Sequence, residues 1–117
     1  MDTRSYAEFA EGYRLTRKGM EYYWGHYLGD GEPSDPEVSP LRAPDLAGVA
    51  PAFVTTAEFD PLRDEGEAYA ERLRESGVPV ELKRYDGLVH GFYTLGALLD
   101  ATSPAYDDVA AALRAAF

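Results

Sequence analysis

The chain has 117 residues, with 11 Lys and Arg against 21 Asp and Glu for a formal net charge of −10, no cysteine, and 45% hydrophobic residues. That length and apolar content describe a single globular segment large enough to bury a core, while the acidic balance disfavours phosphate backbones and anionic lipid surfaces, so no nucleic acid is expected as a partner. The absence of cysteine excludes a disulfide framework, a thiolate metal site and a cysteine nucleophile.

In chain order, Met1 to Phe9 carries Asp2 and Glu8 and no leader-like apolar run. No stretch approaches the roughly 18 apolar residues of a spanning helix, so no membrane span and a cytoplasmic location are expected. Residues 1–29 read as an aromatic-rich helical region. From Lys18 to Leu28, the residues Met20, Tyr23, Trp24, Tyr27 and Leu28 fall at helical spacing, and their expected role is core packing rather than ligand stacking. Gly29 to Gly31 ends that helix. Residues 30–51 form a connection with prolines at 33, 36, 40, 44 and 51, a density that forbids a regular helix or a central strand.

Residues 52–117 read as a βαβ unit followed by a helix. Ala52 to Thr56 is a short β-favouring run without strict alternation, which suits a parallel strand buried on both faces. Pro61 fits a first-turn position, Asp64 to Ser76 a helix with Tyr69 and Leu73 on one face, and Gly77 its stop. Val78 to Tyr85 gives a second strand, Leu88 to Phe92 a turn, and Pro104 to Phe117 a closing helix with Val109, Leu113 and Ala116 on its buried side. The fold class is therefore α/β, with a parallel pair of strands flanked by helices.

Chemistry is expected just beyond the C-terminal ends of parallel strands. Asp60 leaves the first strand and His90 follows the second. A carboxylate that accepts from one imidazole nitrogen fixes the tautomer and frees the other nitrogen as a general base. The residues alone leave plain alternatives open: Asp60 as a helix cap, His90 as a turn histidine. His26 reads as a satisfied or surface histidine, the acids at 64, 65 and 67 as dipole-favoured residues of the first turns of a helix, and Gly29-Asp30-Gly31, followed by Glu32-Pro33, as no phosphate loop. No cofactor and no metal are inferred.

Local strings sharpen the choice. The run from Pro51 through Thr55-Thr56-Ala57-Glu58-Phe59-Asp60-Pro61-Leu62-Arg63-Asp64-Glu65 to Gly66, and the later Gly87-Leu88-Val89-His90-Gly91-Phe92, closely resemble the acid and histidine motifs of α/β-hydrolases of the hormone-sensitive lipase-like esterase family. Glu11-Gly12-Tyr13 with Leu15-Thr16, Tyr22-Tyr23-Trp24 with His26-Tyr27-Leu28, and Ser39-Pro40-Leu41 extend the resemblance over nearly the whole chain. It implies that Asp60 is the triad acid and His90 the triad base. It also implies that residues 1–117 are the C-terminal portion of an α/β-hydrolase fold with an incomplete sheet.

In that family the nucleophile is a serine in a Gly-x-Ser-x-Gly elbow, and a His-Gly-Gly loop supplies oxyanion-hole donors. Here the serines stand at 5, 34, 39, 76 and 103, none with glycine two residues before it, and Phe92 follows His90-Gly91. The expectation is thus a segment of a carboxylic-ester hydrolase, inactive alone, that meets a small-molecule ester only when an N-terminal part completes it. The alternative is a noncatalytic relic or protein-interaction module. With open strand edges, the chain is expected to self-associate as a homodimer.

Overall fold

In the computed structural model, which describes residues 1–117, the chain forms α1 (Arg4–Glu8), α2 (Arg17–Leu28), β1 (Ala52–Phe59), α3 (Arg63–Glu75), β2 (Val80–Val89) and α4 (Ser103–Ala116). Short 3-10 turns lie at Pro40–Arg42, Phe92–Leu95 and Asp100–Thr102. β1 and β2 pair in parallel as a two-stranded sheet, with Ala52 opposite Val80 and Ala57 opposite Tyr85. The β-branched and aromatic content of Phe53, Val54, Thr55 and Thr56 favours the extended run. β1 continues beyond Thr56 through Phe59, because β2 carries its ladder onward to Val89 and Phe59 is held by Tyr13, whose ring stacks on it at 5.0 Å.

The crossover helix α3 is fixed at both ends. At its C-terminus Gly77 has φ 79°, a conformation that glycine adopts without steric cost. The Gly77 N–H donates to Arg74 O at 2.9 Å and the Val78 N–H to Leu73 O at 3.0 Å, which helps to satisfy the carbonyls of the last turn. Val78 then packs on Leu73 and Leu46 in one buried cluster, flanked by Tyr69, Ala43, Ala52 and Val80. Arg72 ties the proline-rich connection to the helix by donating to the carbonyls of Leu41 and Ala43. Where α3 crosses β1, a Cβ on Gly66 would stand 3.1 Å from Thr56 Cγ2, so the small residue permits the close approach. Pro61 lies before α3, in the turn closed by Arg63 N–H on Asp60 O at 3.1 Å, and not in its first turn.

A second cluster joins Ala57, Tyr85, Leu88, Phe92 and Ala105, with Tyr93 against it. α4 is anchored there by Asp108, which accepts from the Tyr85 hydroxyl at 2.7 Å and from Lys83 Nζ. Burial, and then the bond to Asp108, pushes the Tyr85 hydroxyl pKa up. The Lys83 and Tyr85 bonds hold the Asp108 carboxyl below the usual carboxylate range.

Three expectations of burial are corrected. Ala52 to Thr55 of β1 are half-buried rather than covered on both faces, because one face opens to the groove beside α4. No residue of α2 is buried: Tyr22, Tyr23 and Tyr27 are 64%, 58% and 72% exposed, and Met20, Tyr23, Trp24 and Tyr27 form an open apolar surface with Val38. No layer of this chain lies against that helix. On α4 only Ala105 is buried, while Val109 is half-buried and Leu113 and Ala116 are exposed. Two strands are too narrow to underlie the whole helix, so its C-terminal half and the starts of both strands border an open groove of about 1080 Å³ lined by Ala52, Phe53, Val80, Val109 and Leu113.

Since Leu73 is fully buried between α3 and the connection, Leu73→Ala is expected to lower stability by about 2–5 kcal/mol. Urea unfolding followed by far-ultraviolet circular dichroism measures it. A loss under about 1 kcal/mol would show that this cluster does not hold the crossover.

Candidate functional site

The site lies where both strands end. Up to Ala57 and Tyr85 the ladder is regular, but the next pair is Phe59 with Val89, so β2 carries two more residues than β1 across that step. Gly87, at φ 78°, turns within the irregularity, and the Glu58 carboxylate holds it by accepting the Gly87 N–H at 2.6 Å. An insertion of this kind bends the strand and re-aims the side chains beyond it. The residue after Phe59 is then level with the residue after Val89.

Those residues are Asp60 and His90, and they meet. His90 Nδ1 lies 2.8 Å from Asp60 Oδ2. An ionised carboxylate only accepts hydrogen bonds, so Nδ1 carries the proton and donates it. Asp60 Oδ1 meanwhile accepts the Leu62 N–H at 2.8 Å. One carboxylate therefore closes the turn before α3 with one oxygen and holds the imidazole with the other. The Asp60 side chain is 10% exposed and that of His90 42%, and His90 Nε2 has no hydrogen-bond partner in the chain.

Around the pair, α1 braces the turn that carries Asp60. The Ser5 hydroxyl donates to Pro61 O at 2.7 Å, and the Ser5 N–H donates to Asp64 Oδ2 at 2.8 Å. Burial pushes the Asp64 carboxyl up, but the Ser5 N–H, the Arg63 guanidinium at 2.9 Å and the Ser5 hydroxyl together outweigh it and hold it below the usual carboxylate range. Phe9, Tyr13 and Phe59 pack edge and face, with the Arg63 guanidinium over Phe9. The Tyr6 hydroxyl is buried without a hydrogen-bond partner, and burial, then the charges of Glu65 and Asp60, push its pKa up, so it stays neutral.

The serines are engaged elsewhere. Besides Ser5, the hydroxyls of Ser34, Ser39 and Ser76 donate to Glu32, Pro33 O and Arg72 O, and Ser103 opens α4. No serine hydroxyl bonds to His90. His26 is exposed on α2, its ring 4.4 Å from that of Tyr22. No three potential metal-ligating side chains converge anywhere. Two contributors had no place in the motif reading: Glu58, which clamps Gly87, and Arg14, whose guanidinium reaches the carbonyls of His90 and Gly91. Glu58 was visible inside a quoted string but without a role, and nothing about an arginine in a loop marks it in sequence.

A profile of the alpha/beta hydrolase fold matches residues 1–94. The chain belongs to that family, in the hormone-sensitive lipase-like branch that its motifs resemble. Among its relatives, the carboxylic ester hydrolase LipN of Mycobacterium tuberculosis is 43% identical over 115 residues, which is 97% of this chain and 31% of that protein. An arylesterase of Saccharolobus solfataricus is 45% identical over 92 residues, 77% of this chain and 30% of that protein. An ester hydrolase from the metagenome of Lake Arreo, solved with a bipyridine phosphonate derivative, superposes with a TM-score of 0.93 at 42% identity, covering 100% of this chain and 38% of that one. This chain thus spans about a third of the length of the curated relatives it matches.

The depressed value of Asp64 links the brace to pH. Its stabilising contribution is complete above the unfolded carboxylate value of about 3.9 and is lost as pH falls through the lower folded value. Asp64→Asn is therefore expected to lower stability at neutral pH and to flatten the decline of stability below about pH 4. Thermal unfolding from pH 7 down to pH 2 checks this, and an unchanged acid limb would rule the linkage out.

Proposed function

We propose that this chain supplies the acid and base of a carboxylic ester hydrolase site, with Asp60 as the acid that orients His90 and His90 as the general base. The observation that carries the reading is the 2.8 Å bond from His90 Nδ1 to Asp60 Oδ2 at the ends of adjacent parallel strands, with Nε2 left unpartnered. In this scheme Nε2 takes the proton of an attacking serine hydroxyl, and Asp60 stabilises the imidazolium that forms. The imidazolium then protonates the departing alcohol as the tetrahedral adduct collapses to the acyl-enzyme, and water repeats the sequence. The names of the relatives support a carboxylic ester as substrate class.

The nucleophile and the oxyanion donors are proposed to come from outside these residues, since the five serines lack the elbow pattern and four of their hydroxyls are committed to other acceptors. The isolated chain is then expected to turn over a short-chain aryl ester no faster than its His90→Ala variant. Replacing the matching segment of the Lake Arreo hydrolase with this chain is expected to give an active hybrid. In that hybrid His90→Ala abolishes turnover and Asp60→Asn lowers kcat by roughly 10⁴. A hybrid whose activity survives His90→Ala would sink the assignment.

The alternative, a noncatalytic interaction module, draws support from the exposed face of α2 and the groove beside α4. For the chain alone we infer self-association as a homodimer. The edge of β1 away from β2 is unpaired, and an open strand edge beside apolar surface is a template for another copy. Repulsion between chains of charge −10 is screened beyond about 8 Å at physiological salt, which leaves apolar burial dominant. Light scattering over a micromolar dilution series is expected to give the mass of two chains, and the mass of one throughout would overturn the inference.

A further inference from the structure

We propose that Arg14 is a positioning residue for His90, acting through the carbonyl groups of the turn that follows β2. The inference deepens the acid–base reading and takes its catalytic meaning from it. Arg14 is the one non-glycine residue of the chain with positive φ, at 59°. L-residues avoid that region because Cβ crowds the neighbouring carbonyl. Such a conformation persists where its surroundings over-determine it, and it is commonest at functional sites.

The surroundings are identifiable. Tyr13, immediately before Arg14, stacks on Phe59, immediately before Asp60, with centroids 5.0 Å apart and planes within 6°. The Arg17 N–H donates to Ala10 O at 2.9 Å and closes the loop between α1 and α2. From that anchored loop Arg14 Nη1 donates to Gly91 O at 2.8 Å and, more weakly, to His90 O at 3.4 Å. Gly91 is itself at φ 70°, which glycine adopts without steric cost, and a Cβ there would stand 2.9 Å from Nη1, so a larger residue would push the guanidinium from its present place. Gly91 O also accepts the Thr94 N–H at 3.0 Å and the Thr94 hydroxyl at 2.9 Å, where the 3-10 turn opens; the guanidinium adds a charged donor to this carbonyl two residues beyond the end of β2.

The loop thus spans both strand ends. Its aromatic residue is fastened beside Asp60, and its cation is fastened to the peptides on the far side of His90. Because a peptide unit is planar and stiff, holding those two carbonyls holds the direction of the His90 Cα–Cβ bond. Arg14 is exposed and belongs to neither buried cluster, so removing its side chain opens no cavity. A role in positioning and a role in core stability are therefore separable.

Nitrogen-15 spectra of the imidazole ring read the positioning without any turnover. They are recorded in a His26→Gln background that leaves one histidine, at a pH about two units above the ordinary imidazole value of about 6.5. With Asp60 as acceptor the ring is held with its proton on Nδ1, whereas a free imidazole distributes between tautomers and favours Nε2–H. Arg14→Leu is expected to lose the Nδ1–H signature while the β-sheet amide pattern persists. Arg14→Lys, which keeps a cation for one carbonyl, recovers it in part. Should the leucine variant fail to fold, Arg14→Gln is expected to show the same loss. Arg72→Leu, which removes contacts to Leu41 and Ala43 instead, is the control and leaves the ring unchanged. A ring spectrum unaltered by both Arg14→Leu and Arg14→Gln overturns the inference and leaves the acid–base reading standing. A free-imidazole spectrum in the Arg14 protein overturns both.

Discussion

The site depends on a step in strand register. Were the pairing of Ala52 with Val80 continued without interruption, Phe59 would face Gly87 and Asp60 would face Leu88. The two additional residues that β2 carries past Ala57 bring His90 level with Asp60 instead. Leaving a strand irregular at its end forgoes ladder hydrogen bonds, and the lost partners have to be found elsewhere. Glu58 supplies one for the Gly87 N–H, and glycine at φ 78° takes the turn without steric cost. Tyr85 and Leu88, three residues apart, both enter the cluster with Phe92 and Ala105, which strict alternation would forbid. The irregularity therefore serves the core as well as the site, and neither arrangement is available without it.

Cover on the sheet is uneven, and the unevenness explains where the site is firm. Toward the C-terminal ends of the strands, α1, the 10–16 loop, the turn before α3 and the 3-10 turn after His90 all converge, tied by Ser5, Asp64, Tyr13, Phe59 and Arg14. Toward their N-terminal ends the proline-rich connection and α3 close one face through Leu46, Leu73 and Val78, while the other face opens into the groove beside α4. The geometry of Asp60 and His90 is thus set by contacts at the closed end. The open groove and the exposed aromatics of α2 do not enter it.

What the sequence made legible follows from how local each signal is. The crossover helix was readable because its stop is written in one residue, Gly77, whose positive φ lets Val78 fold back onto Leu73. The α/β class followed from two β-favouring runs around it. The strand ends were not readable: Phe59 is extended because Tyr13 stacks on it from a distant part of the chain, and Leu88 and Val89 belong to β2 although they follow a glycine that reads as a turn. The helical spacing of Tyr23, Trp24 and Tyr27 foretold the helix correctly and its burial wrongly, because amphipathicity names a face that favours cover without saying that this chain supplies it. Asp60 and His90 were visible as motif residues, but the arginine behind the turn was not. Its conformation runs against the preference of its own residue type, so no local pattern points to it.

Asp60 is at once a turn carboxylate and the partner of His90, because its two oxygens are used separately. Oδ1 closes the turn on the Leu62 N–H and so immobilises the carboxylate, and an immobilised Oδ2 costs less to order against the imidazole. Burial is divided in the same sense. The carboxylate, nearly shielded from water, acts on its partner through a lower effective dielectric than an exposed one would, which strengthens the attraction between them. The imidazole is partly exposed, and its Nε2 has no partner within the chain. For the proposed reaction this is the useful distribution. The group that only has to stay charged and still is covered, and the group that has to exchange a proton with something outside these residues is left accessible.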